Sequence, residues 1–187
     1  MNIMSHFQIV VVGGGNAGIS VAARLLRKDP QLNIAIIEPS EKHFYQPAWT
    51  LVGGGTFNIK KTMRKEASVI PSKAKWIKDA VVSFQPHENS ITTREGDNIT
   101  YDYMVAAPGI QLNWDAVDGL KETLGKNNVT SNYLFEFAPY TFECIQAMKP
   151  GMTAIFTNPS TPVKCGGATK KIMYLAEIGR AACGERW

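Results

Sequence analysis

Gln8-Ile9-Val10-Val11-Val12-Gly13-Gly14-Gly15-Asn16-Ala17-Gly18 is the stretch on which the reading of this chain turns. A strand-forming apolar run empties into a glycine turn, and Ile19 to Arg27 continues as a helix. Twenty positions after Gly18, a second apolar run, Ile34-Ala35-Ile36-Ile37, closes on the acid Glu38. Strand, glycines, helix, second strand and terminal acid form a dinucleotide-binding fingerprint in its full context. Gly13 makes the turn out of the strand, Gly15 leaves room for a pyrophosphate, and Gly18 lets helix and strand pack closely. Phosphate charge then rests on the helix N-terminus. Glu38 is placed to accept ribose hydroxyls and would repel a 2′-phosphate, so the expected ligand is FAD or NAD and not NADP.

Composition narrows the class. With 44% hydrophobic and 19% charged residues over 187 positions, the chain has material for a core and reads as an ordinary globular protein. The net charge of +4 is dispersed; its densest stretch, Lys60 to Lys65, reads as a solvated face in a loop or short helix. No basic stripe interleaved with aromatics points to nucleic acid, and no apolar run has the length of a membrane span. The first strand begins almost at Met1, which leaves no room for a signal or transit segment and places the start of the chain in the cytoplasm. Cys144, Cys165 and Cys183 lack metal-site spacing, so no metal site is expected. His43 and His87 stand apart from any nucleophile and read as surface or loop histidines.

Beyond Glu38, Pro39 to Pro47 is a polar, proline-bounded loop, followed by a strand over Lys75 to Phe84 and a hairpin of Ser90–Thr93 with Asn98–Tyr101. Asp102 to Gly109 reads as a buried parallel strand ending in small residues. Trp114 to Asn132 is loop-like and Ala138 to Met148 a helix. Met152 to Thr157 is expected to open a second strand–loop–helix unit, with the helix over Thr169 to Glu177. In its loop, Asn158 to Ala168, two prolines and Cys165 replace phosphate-cradling glycines. Proline offers no N–H, so this unit reads as a dinucleotide domain that has exchanged NAD binding for a thiol.

Four blocks carry a longer signature: His43-Phe44-Tyr45-Gln46-Pro47-Ala48-Trp49-Thr50-Leu51-Val52-Gly53, Ser68-Val69-Ile70-Pro71-Ser72, Gly109-Ile110-Gln111-Leu112, and Pro162-Val163-Lys164-Cys165-Gly166-Gly167-Ala168 with Lys171-Ile172-Met173-Tyr174-Leu175. Together they resemble the sulfide:quinone oxidoreductases of the mitochondrial type, from about Phe7 to Glu177. The resemblance implies an FAD enzyme, peripheral on a membrane, that oxidises hydrogen sulfide through a cysteine persulfide, passes sulfur to a small acceptor and reduces quinone. Its membrane would be the mitochondrial inner membrane in a eukaryote, or the cytoplasmic side in a bacterium. Cys165 matches the first of the family's two redox cysteines. Asn16, Ala17, Glu38, Gln46 and Val81, with Gly13, Gly15, Gly18 and Gly109, match cofactor-binding positions.

The fold expected from this is α/β. Residues 1–110 form a three-layer Rossmann-like FAD-binding domain, a parallel sheet with a hairpin or meander layer, carrying an insertion near 39–66. Residues 111–177 form a connection and the truncated start of a second dinucleotide-binding-like domain, and 178–187 a non-native tail in which Cys183 is irrelevant. Family members are more than twice this long and supply the second cysteine, the quinone pocket and the membrane-contacting helices from their C-terminal half. Rival readings are a type-2 NADH dehydrogenase or related pyridine nucleotide–disulfide reductase, which should show a second glycine fingerprint or a C-x-x-x-x-C pair, and a non-catalytic dinucleotide-binding fragment.

Overall fold

The computed structural model describes residues 4–158, 163 and 165–182. In chain order the elements are β1 (Met4–Val12), α1 (Asn16–Lys28), β2 (Ile34–Ile37), β3 (Lys42–Phe44), α2 (Trp49–Gly53), β4 (Met63–Lys65), β5 (Lys75–Ile77), β6 (Val81–Gln85), β7 (Ser90–Thr93), β8 (Asn98–Ala106), α3 (Leu120–Thr123), α4 (Ala138–Gln146) and α5 (Ala168–Ala182). They fall into two compact units: Met1–His43 with Arg64–Gly109, and Phe44–Met63 with Ile110–Trp187. Residues 44–63 thus belong with the later part of the chain. The passage between units runs through the two-stranded ribbon of β3 and β4.

The first unit is built on a six-stranded sheet in the order β5-β2-β1-β8-β7-β6. β1 lies parallel between β2, with Val10 opposite Ala35, and β8, with Val12 opposite Ala106. Both faces of β1 are covered from Ile9 to Val12, which is why that half of the strand is continuously apolar rather than alternating. Ile9 and Val11 pack with Ala22 and Leu26 of α1, while Val10 and Val12 pack with Ile91, Ile99 and Tyr101 of the antiparallel β7–β8 hairpin. Val10, Val11 and Ile36 are wholly buried. Each contributes about 1.5–3 kcal/mol relative to an exposed side chain, so the β1–β2 pair holds the unit together.

The expected strand over 75–84 is two strands. β5 pairs with β2 at one edge of the sheet and β6 pairs with β7 at the other. Residues 78–80 can join opposite edges because the meander folds back over the parallel strands, bringing Val81 and Ile77 onto one core cluster. Asp79 fixes the break: its carboxylate accepts the backbone N–H groups of Ala80 (2.7 Å) and Glu95 (3.0 Å). Conversely, the hairpin arm 98–101 and the strand after Asp102 are one nine-residue strand, β8. The result is the three-layer α/β arrangement of helix, parallel sheet and meander.

In the second unit, Phe44, Trp49 and Phe135 form an aromatic cluster with ring centroids 5.1–6.3 Å apart, joined by Val52 and Ala138. The Trp49 indole N–H donates to Thr62 Oγ1 at 3.1 Å. A second cluster joins Ile145 of α4 to Ile172 and Ala176 of α5, with Phe156 against it. The strand expected over 152–157 is not formed: these residues pair with no strand among the described residues, and Ile155 is 83% exposed. A strand needs a ladder partner to satisfy its backbone, and none lies beside this segment among the described residues. Helix α5 runs through Gly179 to Ala182, five residues beyond its expected end at Glu177. Cys183, within the expected tail, lies outside the described residues, as do Pro159, Pro162 and Lys164 in the loop before α5.

Candidate functional site

At the C-terminal ends of β1 and β2 the glycine turn adopts the geometry its sequence requires. Gly13 has φ +102°, and a Cβ there would stand 2.2 Å from the Ala107 carbonyl oxygen. A Cβ on Gly18, in the first turns of α1, would stand 2.0 Å from the Gly13 carbonyl oxygen, so strand end and helix start are in contact. Gly15 differs. It caps α1 with no side-chain hydrogen bond, and nothing lies within 4 Å of where its Cβ would be. The helix therefore presents an open N-terminus with the exposed residues Asn16 and Ala17 beside it, the cradle a pyrophosphate needs.

Glu38 turns its carboxylate inward to this turn. It accepts the Gly14 N–H at 2.8 Å and the Ser40 N–H at 2.7 Å, and a carboxylate retains lone pairs for ribose hydroxyls after both bonds. Of the other matched positions, Val81 opens β6 next to a register shift, and Gly109 follows β8 at φ +82° with open space around it. Gln46 lies in the second unit, half-buried.

Two residues of this site were not singled out by sequence. His43, expected at the surface or in a loop, is 9% exposed and bridges two polar groups. Its Nε2 is 3.1 Å from Asn16 Oδ1 and its Nδ1 is 3.3 Å from Glu66 Oε2. Glu66 is 1% exposed, and its second oxygen, Oε1, has no hydrogen-bond partner; a Cβ on Gly14 would stand 2.7 Å from it. Burial, and after it the charge of Glu38, push the Glu66 carboxyl up to about 7 from its ordinary 4.5. The strut Asn16–His43–Glu66 thus pins the first residue of α1 from behind, with a proton available to it near neutrality. His87 is exposed, as expected.

In the second unit, Cys165 lines a cavity of about 80 Å³ with Thr50, Asn132, Tyr133, Lys171 and Gln46. Two glycines separate Cys165 from α5, and the Ala168 N–H donates to the Cys165 carbonyl at 3.1 Å, so the thiol stands just before the helix N-terminus. Three polar atoms on residues that line the cavity, Thr50 Oγ1, Asn132 Oδ1 and Tyr133 Oη, are buried without a partner among the described residues. Burial, and after it the Cys165 charge, push the Tyr133 phenol up. Cys144 sits within α4, and burial is the main cause pushing its thiol up, as befits a packed helix residue. Among the described residues no cluster of His, Cys, Asp and Glu could hold a metal ion, and no helix is long and apolar enough to cross a membrane.

Residues 7–139 match the pyridine nucleotide-disulphide oxidoreductase family. The chain is 53% identical over 171 residues, 91% of its length, to the mitochondrial sulfide:quinone oxidoreductase of Dictyostelium discoideum, covering 38% of that protein. To the mouse (Mus musculus) mitochondrial sulfide:quinone oxidoreductase it is 44% identical over 97% of its length, covering 40%. Its fold superposes on the crystal structure of the sulfide:quinone oxidoreductase from Aquifex aeolicus with a TM-score of 0.61 and 29% identity, covering 76% of this chain and 32% of that one. The chain therefore spans about two fifths of the length of the curated relatives it matches.

Proposed function

The chain belongs to the pyridine nucleotide-disulphide oxidoreductase family, and we propose that it is the N-terminal part of an FAD enzyme that oxidises hydrogen sulfide and reduces quinone. The observation that carries this reading is the content of the loop before α5. Where a nicotinamide-binding unit would place a second glycine fingerprint, this chain places Cys165 at the wall of a small cavity, and two relatives that it matches over more than nine tenths of its length carry the sulfide:quinone oxidoreductase name.

The first unit fits the nucleotide half of FAD. Gly15, Asn16 and Ala17 offer an uncapped helix N-terminus to pyrophosphate, Gly13 and Gly18 hold the turn, and Glu38 meets the ribose. The Glu38 carboxylate at Gly14 opposes a 2′-phosphate. Val81 and Gly109 are the other cofactor contacts assigned to this unit, and Gln46 is the contact assigned to the second. When bound, the flavin supplies acceptance of an electron pair from reduced sulfur and its delivery to quinone.

Cys165 carries the sulfur in this reading. A thiolate is the reactive form, and Cys165 is exposed. The second cysteine, the quinone pocket and peripheral contact with a mitochondrial membrane belong to the rest of the protein, as does delivery of sulfur to a small acceptor. In the intact enzyme Cys165→Ser should retain FAD, as judged by its absorbance spectrum, and lose sulfide-dependent quinone reduction by several orders of magnitude, while Cys144→Ser should be nearly silent. Near-parental turnover by Cys165→Ser would overturn the assignment.

A further inference from the structure

The three unpartnered polar atoms around Cys165 call for a ligand of their own. A buried polar group without a hydrogen bond costs about 1–3 kcal/mol, so three facing one small cavity are unlike the rest of the interior. Thr50 is 8% exposed and sits in α2, whose apolar face carries the neighbouring Trp49 and Val52 into the core. Its hydroxyl is thus held at the cavity wall by packing rather than by any bond it makes. Asn132 lies over α2 so closely that a Cβ on Gly53 would stand 2.1 Å from its Oδ1. Tyr133 adds a phenol that senses the charge of Cys165. The titratable and charged groups lining the cavity are Cys165, Tyr133 and Lys171.

The chemistry of this set is specific. Two hydroxyls can donate to an anion, an amide oxygen can accept the proton of an S–H, and Lys171 supplies positive charge. At about 80 Å³ the cavity admits a sulfur atom and one or two small groups, and no larger substrate. We propose that Thr50, Asn132 and Tyr133 form a pocket for an anionic sulfur carried on Cys165, with the Tyr133 and Thr50 hydroxyls donating to it and Asn132 Oδ1 receiving the proton of its neutral form. These are positioning residues. The inference deepens the function proposed above, since it rests on Cys165 being the sulfur-bearing thiol.

The test is the pH–rate profile for iodoacetamide alkylation of Cys165 in the 187-residue chain, with Cys144 and Cys183 replaced by serine. Losing a hydrogen bond to a charged sulfur should cut the rate at pH 7 about tenfold in Tyr133→Phe and about threefold in Thr50→Val. The midpoint of the profile should move to higher pH, the plateau rate at high pH should stay at the parent value, and Thr50→Ser should behave as the parent. A purely structural role moves the melting temperature and leaves the midpoint in place. Should Tyr133→Phe fail to fold, Thr50→Val with its serine rescue decides the question. Unmoved midpoints in the folded variants overturn the proposal. The two readings fail separately: a midpoint shift alongside an active Cys165→Ser enzyme leaves the pocket and removes the function, and the reverse result does the opposite.

Discussion

The two loops that precede α1 and α5 both lead into a helix and are built in opposite ways. The first follows a strand with partners on both sides, β2 and β8, and its glycines are crowded by backbone: Gly18 against the Gly13 carbonyl, Gly13 against the Ala107 carbonyl. The second follows residues 152–158, which pair with no described strand, and its glycines are open among the described residues: none of these comes within 4 Å of a Cβ on Gly166, and of their atoms only Cys165 Sγ, at 4.0 Å, comes near one on Gly167. One loop uses glycine to bring chain segments together, while the other uses it to keep space around a thiol. A phosphate site needs backbone N–H groups held still, and a thiol site needs an accessible sulfur.

The same substitution in each loop should expose that contrast. Gly18→Ala gains helix propensity but drives a methyl into a carbonyl that the strand end cannot move, and should destabilise the chain by about 3 kcal/mol in urea unfolding. Gly167→Ala meets no backbone and should change stability by less than about 0.5 kcal/mol. Equal losses would mean that the second loop is packed as tightly as the first.

The first loop's geometry was legible because each constraint on it is local. A strand, a turn and a helix start leave their marks within eleven residues, and Glu38 is tied to them by the length of one βαβ unit. What was not legible was partnership across the chain. Glu66 is a single acid in a polar stretch and gives no periodic signal; it is buried because it meets His43, 23 residues earlier. Thr50 falls in the insertion near 39–66 and Asn132 at the end of a loop-like stretch, and only the fold brings them, with Tyr133, to Cys165. The strand misread over 75–84 has the same origin. Apolar residues lie on both sides of Lys78-Asp79, but the sheet curls, so three residues separate its two edges.

The buried carboxyl beneath the first loop offers a second way to separate the two regions, because the cavity of Cys165 contains no carboxylate. Glu66 holds its proton in the folded state to about pH 7, against an ordinary 4.5. Between those values the folded chain binds more protons than the unfolded chain, so stability is present at low pH and lost as pH rises through 7. The loss due to this group should be about 2 kcal/mol, less than the full shift implies because His43 stands beside the ionised form. Glu66→Gln, which keeps the shape and removes the titration, should flatten the melting temperature against pH across pH 4.5–7. An unchanged slope would show that the charge is relieved by solvent.

The smallest effect expected concerns the one glycine of the first loop that is not crowded. Gly15→Ala places a methyl where no protein atom lies within 4 Å, so stability should change by less than about 0.5 kcal/mol. If the open helix N-terminus is where pyrophosphate rests, that methyl stands in the ligand's approach and withdraws none of the helix N–H groups. The dissociation constant for FAD, titrated by flavin fluorescence on the intact enzyme, should rise about tenfold, equivalent to about 1.4 kcal/mol. Gly167→Ala, beside the thiol, should leave it unchanged. A variant that binds FAD as the parent does would move the pyrophosphate away from Gly15 and leave the crowding of Gly13 and Gly18 as a purely structural device; one that loses both stability and FAD would show that the open space is filled in the folded protein.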